Sequence, residues 1–144
     1  MCWQMNKIIP LFVALNLIGC VNTSDRVNAT IVKGFNVPEE QLLLLVKVST
    51  TEYTGYYPAR GCESDNCIPV SFWYTHEAEV LEIIKGKYEQ KHVKFANLQH
   101  ADYIDEIKKK WYIQLRKIPS KKLKEQLNVE YYVVRHDSEF QQKN

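Results

Sequence analysis

Ile68-Pro69-Val70-Ser71-Phe72-Trp73-Tyr74-Thr75-His76-Glu77-Ala78-Glu79-Val80-Leu81-Glu82-Ile83-Ile84 decides the fold. Ile68, Val70, Phe72, Tyr74, His76, Ala78 and Val80 alternate with Ser71, Trp73, Thr75, Glu77 and Glu79, the period-two pattern of a strand with one buried face. At Leu81-Glu82-Ile83-Ile84 the apolar register slips. A β-bulge produces such a slip, and bulges bend strands so that a sheet can curl into a barrel.

The neighbouring stretches extend the same pattern. Lys85-Gly86-Lys87 ends the long strand, and Val93, Phe95 and Asn97 alternate with Lys94 and Ala96 in a return strand, which makes a hairpin the economical reading. Upstream, Gln41 to Thr51 has Leu42, Leu44, Val46 and Val48 on one face, while Leu43 and Leu45 on the other predict that its first half is buried on both sides. Thr54 to Asn66 reads as a long irregular loop. Downstream, His100 to Lys109 has the three-residue spacing of a short helix, and Trp111, Ile113 and Leu115 alternate with Tyr112, Gln114 and Arg116 in a strand. Pro119-Ser120 introduces a second helix with Ser120 as cap and Leu123 and Leu127 turned inward. Val129, Tyr131 and Val133 mark a last strand. The expected fold is mainly β with short helices: a small five-to-six-stranded curled sheet or OB-like barrel following an N-terminal signal segment.

The chain has 144 residues, 45% hydrophobic and 25% charged, with five Gly and five Pro. That composition fits one globular domain and excludes collagen-like, disordered and polytopic membrane classes. Net charge is +2, unevenly spread: residues 85 to 124 hold twelve Lys and Arg against four acids, and residues 20 to 84 hold four against nine. A basic flank beside an acidic one can orient a domain against an anionic surface; lysines at helix ends are also simply solubilising.

Lys7, the apolar run Ile8 to Ile18 and then Gly19-Cys20 have the layout of a secretory signal. Eleven residues broken by Pro10 and Asn16 are too few to span a bilayer. Leu17-Ile18-Gly19-Cys20 resembles the lipobox of bacterial lipoproteins; the other reading is an ordinary signal peptide with an incidental Cys20. The resemblance implies that Cys20 is lipidated with diacylglycerol and often a further acyl chain such as palmitate. It also implies cleavage before Cys20 and an outer-membrane destination facing the periplasm, because Val21 and not Asp follows. Met5-Asn6-Lys7 makes a more typical start of translation than Met1. The expected division is residues 1–19 signal peptide, 20–37 lipidated Cys and tether, 38–136 a single β-rich domain and 137–144 a polar tail. Ala78 to Gly86 with Val93-Lys94-Phe95 is similar to the strand-and-turn pattern of netrin-type OB-like barrels, whose several disulfides and amino-terminal inhibitory Cys are absent here.

Cys62 and Cys67 are the only Cys pair in the body, in a polar turn-prone segment of an exported chain, and are expected to form a disulfide. Half of a zinc site and free thiols are the alternatives, the first lacking a second ligand pair. His76-Glu77-Ala78-Glu79-Val80 begins like the zinc-protease motif, but Val80 stands where the second His belongs, and His76 is expected to be a satisfied wall residue. No Gly-flanked serine, phosphate loop or calcium ladder is present, and the carboxylate pairs carry no sign of a cleft. Expectations are therefore no catalytic residues, no metal and no cofactor. Trp73, Tyr112, Tyr56 and Tyr57 are the candidate binding aromatics, Trp73 and Tyr112 because they fall on the outer faces of their strands. The expected role is a membrane-anchored, non-catalytic binding or scaffolding domain whose partners are the membrane, through Cys20, and an envelope protein or glycan, not nucleic acid. An envelope inhibitor or immunity-type protein is the alternative, and a cell-wall hydrolase comes third.

Overall fold

A computed structural model describes residues 27–58, 68–100 and 110–138. The leader, Cys20, Cys62, Cys67 and residues 101–109 of the helix expected over His100 to Lys109 lie outside the described residues; His100 itself is corrected to strand, paired with Ser71. The elements are α1 (Ala29–Lys33), β1 (Leu42–Tyr53), β2 (Ser71–Lys85), β3 (His92–His100), β4 (Lys110–Lys117), α2 (Lys121–Leu127) and β5 (Tyr131–Ser138). The strands close into a barrel in the order β1-β2-β3-β5-β4, with β4 returning to β1. The fold is thus mainly β, an OB-like barrel with few short helices. All pairings are antiparallel except β3 with β5, which is parallel and only two residue pairs long, Phe95 with Tyr131 and Ala96 with Tyr132.

The bulge read from the sequence is present and is double. Leu43 faces Lys85 and Leu44 faces Ile83, leaving Ile84 extra; Leu45 faces Glu82 and Val46 faces Val80, leaving Leu81 extra. Ser49 is a third extra residue, on β1. Each insertion adds twist. Together they bend β1 so that its first half pairs with both β2 and β4 and its second half with β2 alone.

Inward alternation fills the interior with Leu42, Leu44, Val46, Val48, Ala78, Val93, Phe95, Trp111, Ile113 and Leu115. Leu43 and Leu45 on the second face of β1 are also buried, as their apolar character required. They share that outer face with Gln114 and Tyr112, their register partners on β4. Over it lies the segment 28–37. Asn28 caps α1, its side-chain oxygen accepting from the amides of Thr30 and Ile31. The Asn28 amide donates to the Tyr112 hydroxyl at 2.7 Å, and Gln114 Nε2 donates to Asn36 O at 3.0 Å and to Gln41 Oε1 at 2.6 Å. The Arg135 guanidinium donates to Gly34 O and sits over the Phe35 ring at 4.9 Å, and Lys85 Nζ donates to Val37 O. The tether expected over residues 20–37 is therefore corrected from residue 28 onward. The composition of that stretch is polar, but the outer face of β4 offers its backbone fixed partners. The tail expected from residue 137 is likewise corrected, since Asp137 and Ser138 continue β5 opposite Tyr112 and Trp111.

α2 follows the sequence reading. Ser120 Oγ accepts from the Leu123 amide, Leu127 is buried, and both leucines pack on a small cluster with Ala96, Ile118, Val129, Trp73 and Tyr132. Asn128, at φ 52°, ends the helix in the left-handed region that Asn tolerates.

His76 is in the core as expected, stacked on Phe95 at 5.1 Å and tilted against Trp111 at 5.6 Å, which in turn stacks on His136. Its Nδ1 meets Thr51 Oγ1 at 2.9 Å. Its Nε2 has no hydrogen-bond partner among the described residues, so the ring is only half satisfied. Burial and the neighbouring His136 hold its pKa down to about 4.

Candidate functional site

At the lower end of the barrel β2 turns into β3 and β4 connects through α2 to β5. Gly86, at φ 92°, makes the first turn, and a Cβ there would meet Leu42 Cδ2 at 2.6 Å. The parallel seam begins only at Phe95 and Tyr131, so below that level the two chains part, and Lys121, Lys124 and Glu125 of α2 line the gap. The result is a cleft of about 670 Å³ between the β2–β3 connection, β3 and the α2–β5 connection. A second, smaller hollow of about 90 Å³ shares Lys94, Asn128 and Val129 with it and continues toward Glu52 and Thr75.

The cleft walls are phenols, amides and paired charges. Tyr88 donates to His92 O at 2.9 Å and meets Tyr131 edge to face at 6.2 Å. Burial, and then Tyr131, raise the Tyr88 pKa, which keeps the phenol neutral. Lys94 is paired with Glu77, Lys124 with Glu130, and Lys121 with Glu125 at 3.8 Å. The hydrogen bond from Glu77, then its charge, raises the Lys94 pKa. Gln90 and Asn128 add amides. Donors and acceptors thus stand side by side around a partly buried aromatic pair. Such a wall can exchange hydrogen bonds with a polar partner without stranding a charge. Among the described residues no three His, Cys, Asp or Glu groups come together as metal ligands.

The sequence-predicted aromatics are elsewhere and do not form one face. Tyr112 is wholly buried, which removes it as a binding residue. It does point outward from the barrel, but the segment 28–37 covers it and its hydroxyl takes the Asn28 amide. Trp73 is half-buried, edge-on to Tyr132 at 6.5 Å and packed on the α2 cluster. Tyr56 and Tyr57 are exposed as expected, at the upper end, opposite the cleft. There Phe72 stands between Tyr53 at 5.3 Å and Tyr57 at 5.9 Å, and Tyr74 lies 5.4 Å from Tyr53.

Sequence reasoning missed Tyr88, Gln90, Asn128 and Tyr131. The available signal was a tyrosine inside a short charged connection, where solubility alone asks for none. No family model, curated protein or solved structure matches the chain.

Proposed function

We propose that this is a lipid-anchored protein of the bacterial cell envelope, held through Cys20, whose OB-like barrel binds a partner without catalysis. The observation that carries the binding role is the cleft between β3 and the α2–β5 connection. Its volume lies within the roughly 300–1,000 Å³ of ordinary ligand sites. The anchor is supported by Leu17-Ile18-Gly19-Cys20, and the partner class is an envelope protein or glycan.

The test uses intact cells carrying a photo-crosslinking residue in place of Gln90 at the cleft or, as a control, in place of Lys33 on α1. A discrete adduct at position 90, absent at position 33 and lost with Tyr88→Ala, is the expected result. No adduct at position 90, or the same adducts at both positions, overturns the cleft as the binding site. A second reading, an inhibitor that blocks an enzyme through its loop, is favoured by the exposed Tyr56 and Tyr57. It expects a stoichiometric enzyme to be crosslinked from Tyr57 instead.

A further inference from the structure

Of the side chains that line the cleft, Val129 alone is aliphatic; the others are phenols, amides, an imidazole and charged groups. A surface that grips a lipid tail or the apolar anchors of a protein partner is built from apolar pockets instead. The closest charges stand in pairs: Lys124 on Glu130, and Lys94 on Glu77, its register partner on β2. An anion drawn to either ammonium meets a carboxylate beside it. A hydroxyl suits the same place, because it accepts from the ammonium and donates to the carboxylate at once.

The remaining polar groups also work in both directions. Gln90 and Asn128 each offer a carbonyl and an amino group. Opposite Lys94, the Glu77 carbonyl faces β1, where it accepts from Ser49 Oγ at 3.0 Å, and the His92 carbonyl accepts from the Tyr88 hydroxyl. The main chain at His92 and Lys94 is therefore turned away from β2. Pairing with β5 starts only at Phe95, so the amides of His92 and Lys94 face the cleft. Tyr88 and Tyr131, half-buried and edge to face, set ring surface among these groups. Lys94, Asn128 and Val129 also border the smaller hollow, which makes the site longer than the cleft alone. Lys87, Lys91 and Lys122, which add to the basic character of this end, do not line it.

We propose that the cleft binds a glycan of uncharged pyranose rings, one ring lying with its C–H face on the Tyr88 and Tyr131 pair and its hydroxyls across Lys94–Glu77, Lys124–Glu130 and Asn128. The inference rests on the reading of the cleft as the binding site and commits that site to a carbohydrate. A pyranose divides its surface as the cleft does, with apolar C–H groups on its faces and hydroxyls around its rim, so ring surface and paired charges are both matched. An N-acetylated strand of the peptidoglycan type and an unsubstituted polysaccharide share this chemistry.

Full-length protein in micelles of a polyoxyethylene detergent, which has no sugar headgroup, is titrated calorimetrically with chitotetraose, maltotetraose and the anionic tetragalacturonate at low and high salt. Saturable binding of chitotetraose, maltotetraose or both is expected, changing less than about twofold with salt, with tetragalacturonate weaker. Binding of chitotetraose alone marks the N-acetylated source; binding of maltotetraose marks a site that reads hydroxyls. Asn128→Gly keeps the left-handed backbone that ends α2 and removes only the amide, and is expected to weaken binding at least about fivefold. Tyr88→Ala is expected to weaken it at least about tenfold. No binding of either neutral sugar, tetragalacturonate bound as well or better, or affinities that neither variant moves overturn the proposal. Photo-crosslinking from position 90 in cells separates the two readings. Protein adducts there without sugar binding overturn the glycan alone, whereas no adduct there removes the cleft as a binding site altogether.

Discussion

At the scale of single residues, His76 has the sharpest consequence. In an unfolded chain it titrates near 6.5, and in the fold near 4. Above 6.5 it is neutral in both states and its place in the core costs no proton. Between 6.5 and 4 the unfolded chain takes up a proton that the folded ring refuses, so stability falls as pH falls, by up to about 1.4 kcal/mol per unit and about 3 kcal/mol in all. Urea midpoints between pH 7 and pH 4 should show this slope, and His76→Phe should flatten it; a parent-like slope in that variant would absolve His76. Tyr112 and Trp111 form the second test. Both are buried, one outside the barrel wall and one inside, so Tyr112→Ala should cost about 3–5 kcal/mol, as Trp111→Ala should. Tyr112→Phe should cost only about 1 kcal/mol, the hydrogen bond from Asn28. Tyr57→Ala should leave stability within about 0.5 kcal/mol, since its ring is half in solvent. Alternation correctly separated the inward Trp111 from the outward Tyr112. It could not distinguish an outward residue covered by another segment from one facing water, because that depends on where a distant stretch of chain lies down.

At the scale of elements, the strands and α2 were legible because each carries a local cause: period-two burial, a register slip at Leu81 to Ile84, a serine cap after Pro119. α1 was not, since five residues with no buried side chain leave no periodic trace. The bulge at Ser49 was hidden for a related reason. Ser49, Thr50 and Thr51 are all polar, so an extra residue among them shifts no apolar position. The turns make a paired prediction. Gly86 and Gly55 both have positive φ, but a Cβ at Gly86 would strike Leu42 and the Gln41 carbonyl, whereas one at Gly55 meets nothing within 4 Å. Gly55→Ala should cost about 1 kcal/mol of backbone strain, and Gly86→Ala clearly more, by about 1–3 kcal/mol of overpacking. Equal denaturation midpoints for the two variants would mean that Leu42 gives way freely.

At the scale of the molecule, a mainly β barrel could be read from five strand patterns and one bulged strand, but the cleft could not. It exists because β3 and β5, 36 positions apart at Phe95 and Tyr131, meet for two residue pairs and then part. No local pattern in either strand announces that pairing. β5 is bound to β4 along seven register pairs, so in hydrogen-bonding terms the barrel is a continuous antiparallel sheet, β3-β2-β1-β4-β5, whose two outer strands touch briefly. An opening that separates only that contact breaks few bonds and leaves every antiparallel ladder intact. In native-state hydrogen exchange, the protected amides along the β3–β5 contact should therefore open with a lower free energy than those between β1 and β2. Because the closing contact is only two residue pairs long and joins residues 36 positions apart, it should also form after the β1–β2–β3 meander in refolding. Pulsed labelling during refolding, with the β1–β2 amides protected before those of the contact, would show the sheet existing before the barrel does.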